Sequence, residues 1–587
     1  MTVRMGDQSP SSSGGPFSLL WVRLPEQVVV GCAVSVDFEI QDKKTNRLVK
    51  DQQRKDDLVT FRWVVRRRDG AKQIESHSRT YTPTLWDIGC SLDVYCSVKN
   101  PSPEQEEKVA RVRLVVDIPD RHITRPFVQN RQIPLSQMKD LLPHSFRVCT
   151  YNTLAPRYCT QSQYSYAEVW SLQWTYRVRL VLEDLDCYCP DIICLQEVSR
   201  SGFTDDLQPA LLERGYEGLF KQRTKDEHMD DPAMDGCVIF FNTRRFKLRK
   251  AYDVEFSQLA QSDISISSSS ACLNHFYKHN VAQIVFLEVL SLDERRHLEG
   301  ESGPRDGTST CSSYGLGFHK PEHGPGSEEL WVDAPRRFRT VDRVFDANKL
   351  QRYLESPSDA VSDMEGYLSE DVYDPDMNSA TPSLFSENPV LCVCNTHVLS
   401  NMHLADVKLW QACMLVEKIK QTCSTFVKAT MAQSGSQTPP ASPAVLLCGD
   451  FNSHPGTGLY EFLLKGTEFW RTPHEDLLLL QERVPQFALR HHVHLNSAML
   501  EVLGHEPQFT NFNRGWHGCL DYMWFERSRF LCLSVLEELR SLEEMCPEKQ
   551  GGPNTQFPSD HIPLVAEFVV LPNNAGSHIR KPAANSS

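Results

Sequence analysis

Glu197, His397, Asp450, Asn452, Asp521 and His561 are the residues of this 587-residue chain whose types could carry out a reaction together. They and Asn152 lie in six short polar islands: Thr150-Tyr151-Asn152-Thr153-Leu154, Leu195-Gln196-Glu197-Val198, Asn395-Thr396-His397, Gly449-Asp450-Phe451-Asn452-Ser453, Leu520-Asp521-Tyr522 and Pro558-Ser559-Asp560-His561. Carboxylates hold hard cations through oxygen, amides and imidazoles orient phosphate oxygens, and an Asp–His pair moves a proton. Gathered at one place, such a set suits cleavage of a phosphate ester with the help of a metal ion. A single one of these acids or histidines would be read as a solvated or satisfied side chain. Six islands in one chain point to a site.

The islands follow strand-like apolar runs such as FRVC, DIIC, VLCVC and AVLLC, so the polar residue sits where a strand leaves the core. From Phe146 to about Val570 strands and helices alternate, and WSLQWTYRVRLVLEDL (170–185) is a helix with apolar residues at three- and four-residue spacing. This predicts an α/β catalytic domain over 145–572. It is interrupted by an insertion at 291–388, expected to be disordered except near Phe338–Leu354, and by a Pro/Ser loop at 432–443. Residues 16–118 read instead as short strands only. Tyr81-Thr82-Pro83-Thr84 and Asp87-Ile88-Gly89 precede the strand SLDVYCSV, and Trp63 is a candidate core aromatic, which predicts an immunoglobulin-like β-sandwich. Such a module binds, positions or simply packs. Residues 1–15 and 573–587 read as disordered tails, and 119–144 as a linker with a short helix around Leu135–Leu142.

Forty per cent apolar residues suffice for a large core, and no apolar run reaches the length of a membrane span. The first residues lack the apolar stretch of a secretory signal. Nineteen cysteines are scattered, many inside apolar runs (Cys149, Cys194, Cys237, Cys394, Cys448), as expected in a reducing compartment. Cys187/Cys189 and Cys392/Cys394 are CxC pairs, not the CxxC pairs of a zinc site. A cytoplasmic protein is expected, with the nucleus as a second compartment. The net charge of −14 is local: between Ser291 and Asn388 stand 20 Asp and Glu against 10 Lys and Arg, a balance of −10. A polynucleotide substrate is therefore compatible with the composition, with modest non-specific affinity. The Arg66-Arg67-Arg68 cluster reads as a solvated turn or an RNA-facing patch.

LQE, NTH, GDFNS and SDH in this order resemble the endonuclease/exonuclease/phosphatase superfamily, which implies a four-layer α/β sandwich with a magnesium site. YNTLAPRY (151–158), LQWTYR (172–177), DGCVIFF (235–241), NVAQIVFLEV (280–289) and DVKLWQ (406–411) are similar to the carbon catabolite repressor deadenylases, which shorten messenger poly(A) tails. The resemblance spans about 145–570 outside the two insertions. The YTPTLWDIG segment is similar to the sandwich that precedes the nuclease in some plant and protist members, and the leucine-rich repeats of animal and fungal members are absent. The resemblance implies a metal ligand at Glu197, with Asn152 beside it and Asp560 as a helper. One or two magnesium ions are implied, with manganese as a substitute. Asp450 and Asn452 would align the attacking water and the scissile phosphate, Asp521 would orient His561, and Asn395 and His397 would reach phosphate oxygens. Whether Asp450 or the Asp521–His561 pair takes the proton stays open.

Trp516 falls where the family places an aromatic that stacks on a base, and Asn274 and Asn280 where relatives carry polar residues near the substrate. Two departures bear on adenine preference: His275 stands where the family usually has arginine, and Ser400-Asn401-Met402 where it often has Trp-Asp-Pro. The reading is a magnesium-dependent 3′→5′ exoribonuclease that removes poly(A) and releases adenosine monophosphate. RNA is the expected partner, with no membrane, and docking to a Not scaffold would run through the sandwich or an adaptor. The alternatives are a phosphatase or phosphodiesterase acting on a small nucleotide or 2′,5′-oligoadenylate, and a catalytically idle adaptor.

Overall fold

The computed structural model describes residues 16–66, 72–99, 107–112, 114–118, 125–223, 234–301, 388–434, 439–466, 468, 473–487, 491, 493–539 and 551–571. The expected tails, Phe338–Leu354, Arg67 and Arg68 lie outside them. The chain divides into two compact units, Met1–Val289 with Pro389–Ser587, and Leu290–Asn388. In the second unit the described part is the helix Leu292–Glu301, at the start of the expected disordered insertion. Ser291 and Glu294 close its first turn reciprocally: Glu294 N–H donates to Ser291 Oγ, and Ser291 N–H donates to Glu294 Oε2 at 2.8 Å.

Two sheets form the centre of the first unit. One has seven strands in the order Phe127–Gln129, Phe530–Leu536, Leu564–Val570, Phe146–Asn152, Ile192–Ser199, Asp235–Asn242 and Tyr216–Gln222. The other has six: Phe246–Glu255, Val281–Val289, Val390–His397, Ala444–Asp450, Asp521–Glu526 and Leu495–Ser497. Period-2 alternation divides each strand between two cores. Val148, Ile192, Cys194, Val285, Leu287, Leu391, Val393, Leu446 and Cys448 face the space between the sheets. Their neighbours Cys149, Ile193 and Leu195 pack with Val178, Val181 and Leu185 of the helix Trp174–Tyr188. Ile284, Phe286, Cys392, Cys394 and Leu447 pack with Val407, Trp410 and Leu415 of the helix Ala405–Ser434. The result is four layers, helix on sheet on sheet on helix. Burial on both faces is why these strands read as unbroken apolar runs. The 30-residue second helix runs to Ser434, so the expected loop at 432–443 begins later than its sequence suggests.

The residues expected as a linker do more than connect. Phe127–Gln129 adds an edge strand to the seven-stranded sheet by pairing antiparallel with Phe530–Leu536, and the helix Leu135–Leu141 lies where its pattern predicts. Arg125 is buried and donates from Nε to Glu537 O at 2.7 Å and from Nη1 to Pro563 O at 2.9 Å.

Towards the N-terminus, a three-stranded sheet (Phe17–Arg23, Asp37–Asp42, Arg47–Leu48) and a four-stranded sheet (Lys108–Val112, Ser91–Val98, Val59–Arg66, Lys72–Ser76) share one apolar core. Trp63 is fully buried there, stacked on Tyr81 at 5.6 Å, with Nε1 donating to Ser78 O at 2.7 Å. The Tyr81 hydroxyl donates to Asp87 Oδ2 at 2.8 Å, and Thr84 N–H donates to the same oxygen, which holds the turn before Ser91–Val98. A short helix, Gln52–Leu58, joins the strands. Asp51 starts it by accepting from Arg54 N–H at 2.7 Å, a cap hidden in a charged run with no strand alternation.

The two central sheets are tied together by polar groups as well as apolar ones. Asn395 is fully buried, and its Nδ2 donates across the sheet gap to Leu195 O at 2.9 Å and Val238 O at 2.8 Å. Its Oδ1 accepts from Gln196 Nε2 at 2.7 Å. This corrects the expectation that Asn395 reaches a phosphate: its amide is consumed by the opposite sheet. Asn395→Ala should lower stability by roughly 1–3 kcal/mol for each carbonyl it orphans, read as a lower urea midpoint at unchanged slope. A loss of activity at unchanged midpoint would return Asn395 to the substrate.

Candidate functional site

In each sheet the two central strands run parallel, Phe146–Asn152 beside Ile192–Ser199 and Val390–His397 beside Ala444–Asp450. Parallel neighbours end at the same edge, so Asn152 and Glu197 of one sheet meet His397 and Asp450 of the other. Asn152 Nδ2 donates to Glu197 Oε1 at 3.2 Å and to Asp450 Oδ2 at 3.0 Å. One amide thus bridges the two carboxylates, and its Oδ1 accepts from Leu154 N–H at 3.0 Å. Glu197 sits in a break of strand register between Leu195 and Val198, with φ +56°. The bulge turns its side chain to the site, where Oε2 accepts from Ala155 N–H at 3.0 Å.

Asp450 follows Gly449, whose φ is +150° and whose absent Cβ would lie 2.1 Å from Thr396 O. Only glycine lets the two strands run this close beside the carboxylate. Asn452 has φ +48°, donates from Nδ2 to Val398 O at 3.0 Å, and accepts at its carbonyl from Lys408 Nζ at 2.6 Å.

Two histidines flank Asp450. His561 Nδ1 donates to Asp521 Oδ2 at 2.8 Å, and its Nε2 lies 3.7 Å from Asp450 Oδ2. Thr510 Oγ1 donates to the same Asp521 oxygen at 2.6 Å. On the other side His397 Nε2 lies 3.5 Å from Asp450 Oδ2 and 4.0 Å from Glu197 Oε1. Arg223 Nη2 lies 3.2 Å from His397 Nδ1; arginine can only donate, so Nδ1 accepts and the imidazole proton sits on Nε2.

The electrostatics follow from burial. Desolvation, then Asp235 and Asp560, push Glu197 up to about 7. Burial first, then Asp521, raise Asp450. Burial pulls His397 down to about 4 and keeps it neutral, against the attraction of Asp450. Burial also opposes protonation of His561, but Asp521 and Asp450 outweigh it and hold this imidazole well above its ordinary value.

The donors fit a hard cation. Glu197, Asp450, Asp521 and Asp560 offer oxygen, and buried Asp521 Oδ1 and Asp560 Oδ1 have no hydrogen-bond partner among the described residues. Asp450, Asp521 and His561 form a buried group whose ligand atoms lie within 4.8 Å of one another. The tightest group is therefore on the Asp450 side, whereas the sequence directs attention to Glu197, Asn152 and Asp560. Asp560 accepts from the Tyr164 hydroxyl at 2.9 Å.

Trp516 is 38% exposed on the hairpin Asn511–Asn513/Trp516–Gly518, and Asn511 of that hairpin bridges to His561. Asn280 is buried and donates from Nδ2 to His397 O at 3.0 Å, so it supports His397 from behind. Asn274 lies exposed on the helix Ser270–Phe276. Its neighbour His275 is committed to Asp406 at 2.8 Å, an acid it shares with Arg483 at 3.0 Å. Three site neighbours escape the sequence reading. Arg223 is paired with Asp235 at 3.2 Å, Tyr158 donates to Asp235 Oδ1 at 3.2 Å, and Lys408 is a buried lysine on the helix Ala405–Ser434. The usable signal was Lys408 inside the run DVKLWQA.

A model of the endonuclease/exonuclease/phosphatase family matches residues 422–561, which include Asp450, Asp521 and His561. Carbon catabolite repressor protein 4 homolog 1 of Arabidopsis thaliana is 27% identical over 538 residues, covering 86% of this chain and 71% of the relative. The CCR4-Not complex 3′-5′-exoribonuclease subunit Ccr4 of Mycosarcoma maydis is 26% identical over 495 residues, 82% of this chain and 57% of its own length. Among solved structures, ANGEL2, a 2′,3′-cyclic phosphatase, aligns at 20% identity and TM-score 0.44 over 76% of this chain and 99% of its own. The human Nocturnin catalytic domain aligns at 19% identity and TM-score 0.39, over 76% and 97%.

Because folded Glu197 holds its proton up to about pH 7, against an ordinary value of 4.5, its ionisation costs stability that is absent below that value and complete above pH 7. The cost is about 3 kcal/mol at pH 8. Glu197→Gln should therefore raise the melting temperature of metal-free protein at pH 8 and leave it unchanged at pH 4.5. Added magnesium should stabilise the wild type at pH 8 more than the variant. Equal stabilisation of both proteins would place the ion away from Glu197.

Proposed function

We propose, on the premise that the chain is a homologue of the carbon catabolite repressor 4 proteins with an endonuclease/exonuclease/phosphatase domain, that it is a metal-dependent 3′→5′ exoribonuclease acting on poly(A). One observation carries the reading: Asn152, Glu197, His397 and Asp450 converge from four strand ends onto the Asp521–His561 pair. Magnesium, held by Glu197 with Asn152 and Asp560 near it or by the Asp450 and Asp521 carboxylates, would supply charge neutralisation at the phosphate and a more acidic bound water.

The chain's own residues divide the remaining work. Asp450, raised above the ordinary carboxylate range, takes the proton of the attacking water. Asn452 sits one turn beyond it in a left-handed conformation and aligns that water and the scissile phosphate. Asp521 accepts the Nδ1 proton of His561, which keeps the imidazolium oriented, and Nε2 is left to donate to the developing charge on a phosphate oxygen. Neutral His397 presents Nε2–H from the opposite side. Trp516, exposed on a hairpin tied to His561, offers a stacking face for the terminal base.

The N-terminal strands are read as an immunoglobulin-like module, and docking to a Not scaffold would use it or an adaptor. The role of the Mycosarcoma maydis relative as a 3′-5′-exoribonuclease subunit of the CCR4-Not complex supports an RNA substrate, with action in the cytoplasm or the nucleus. No described helix is long and apolar enough to cross a membrane.

On RNA labelled at its 5′ end and carrying a 3′ oligo(A) tail, the protein with magnesium should shorten the tail stepwise, faster than an oligo(U) tail. Asp450→Asn should lower kcat by roughly 100-fold or more. Trp516→Ala should weaken binding by roughly 1–3 kcal/mol, seen as a KM about five- to 150-fold higher. Equal decay of both tails would retain the nuclease and remove the poly(A) preference. Inert RNA beside hydrolysis of a small nucleotide or 2′,5′-oligoadenylate would replace the reading with that of a phosphatase or phosphodiesterase.

A further inference from the structure

The segment 551–561, which ends in Asp560 and His561, has no regular secondary structure apart from the single bridge at His561. It is held by side chains from residues 164–177. Tyr164 donates to Asp560 Oδ2 at 2.9 Å, Tyr166 to Gly552 O, and Tyr176 to Thr555 O at 2.7 Å. Arg177, fully buried, donates from Nη1 to Pro558 O at 2.9 Å and to Thr153 O at 2.8 Å. That one guanidinium group joins the loop after Asn152 to the loop before His561.

The same stretch carries the N-terminal β module on its other side. Gln173 precedes the helix Trp174–Tyr188, yet its side chain makes no capping bond to it. It pairs instead with the backbone of Ala33, accepting from Ala33 N–H at 2.8 Å and donating to Ala33 O at 2.6 Å. Arg179 Nη1 donates to Val30 O at 3.4 Å. Val29 and Cys32 of the module form an apolar cluster with Trp170, Tyr176 and Leu180. Tyr176 thus belongs to both sides: its ring packs edge-on against Trp170 at 4.9 Å in that cluster, and its hydroxyl holds Thr555.

We propose that Gln173 and Tyr176 are positioning residues through which the N-terminal β module fixes the loop bearing Asp560 and His561. The module provides the docked edge at 28–33, Gln173 locks the start of the helix to it, and Tyr176 and Arg177, one turn on, hold the loop. Catalysis is affected because His561 must keep its bond to Asp521 and its place beside Asp450. The inference rests on the proposed hydrolytic reading only for its kinetic arm.

Hydrogen exchange of the full-length protein, measured without substrate, tests it directly. In Gln173→Ala, exchange should quicken by roughly three- to ten-fold at 28–36 and at 551–561, with the strands 390–397 and 444–450 unchanged. Tyr176→Phe removes only the hydroxyl, so exchange should quicken at 551–561 and not at 28–36. If either protein degrades oligo(A), kcat should fall several-fold at unchanged KM, since neither residue meets the substrate. Unchanged exchange at 551–561 in Tyr176→Phe overturns the proposal, as does a Gln173→Ala protein loosened at 28–36 alone. These results stand even if the chain proves to act on another phosphate ester.

Discussion

Carboxylates repel one another, and here Glu197, Asp235, Asp450, Asp521 and Asp560 are crowded where two sheets end, with little water to screen them. Much of the surrounding structure answers that repulsion. Asn152 places one amide between Glu197 and Asp450, Arg223 pairs with Asp235, Tyr164 with Asp560, and Thr510 and His561 with Asp521. Glu197 and Asp450 still lie above the ordinary carboxylate range, so the cluster retains an appetite for positive charge. A divalent cation and a protonated imidazole satisfy it in the same place, which couples metal affinity to the state of His561.

The scaffold that imposes this crowding was legible in the sequence wherever chemistry and periodicity coincide. An apolar run of this length closed by a polar residue fits a central strand that carries the polar residue at its end, and FRVCTYN, DIICLQE, VLCVCNTH and AVLLCGD all have that form. Alternation then sends Val148 and Cys149, or Val445 and Leu446, to different cores. Parallel pairing at the middle of each sheet turns four separated motifs into neighbours. Residue type showed that Trp63 belongs to a core, and its stacking on Tyr81 follows from the turn that carries it.

What was not legible depends on geometry that residue types leave free. Asn395 and Asn152 are the same side chain at the ends of similar strands, yet one faces the opposite sheet's carbonyls and the other bridges one carboxylate from each sheet. Only the register across the gap decides between them. The bulge at Glu197 and the left-handed backbone at Asn452 are equally silent, because nothing in LQEV or GDFNS requires a positive φ at a non-glycine residue. The sequence shows His275 only as a replacement for the family's usual arginine, whereas Asp406, distant in sequence, takes its imidazole in a hydrogen bond and also pairs with Arg483. Phe127–Gln129 is too short for alternation to mark it as a strand, and it exists because Phe530–Leu536 offers an unpaired edge.

On the proposed reading, selection and chemistry fall on different elements, and the coupling between them is short. The strand ends hold the charged groups, whereas Trp516 stands on a small hairpin outside both sheets. Gly518 lets that ring approach His454: a Cβ there would lie 2.5 Å from His454 Cε1 and 2.9 Å from Trp516 Cζ2, and the two rings stand 5.4 Å apart. The hairpin is registered on the catalytic loop by the Asn511–His561 bridge, whose two bonds are Phe512 N–H donating to Asp560 O at 2.7 Å and Ile562 N–H donating to Thr510 O at 2.8 Å. On the proposed reading, a base stacked on Trp516 is thereby indexed to His561 through backbone hydrogen bonds, not through a flexible side chain. The loop 551–561 then carries a double duty, bearing the group that meets the phosphate and anchoring the platform that receives the base. Its placement by Tyr164, Tyr176 and Arg177 bears on rate and selectivity together.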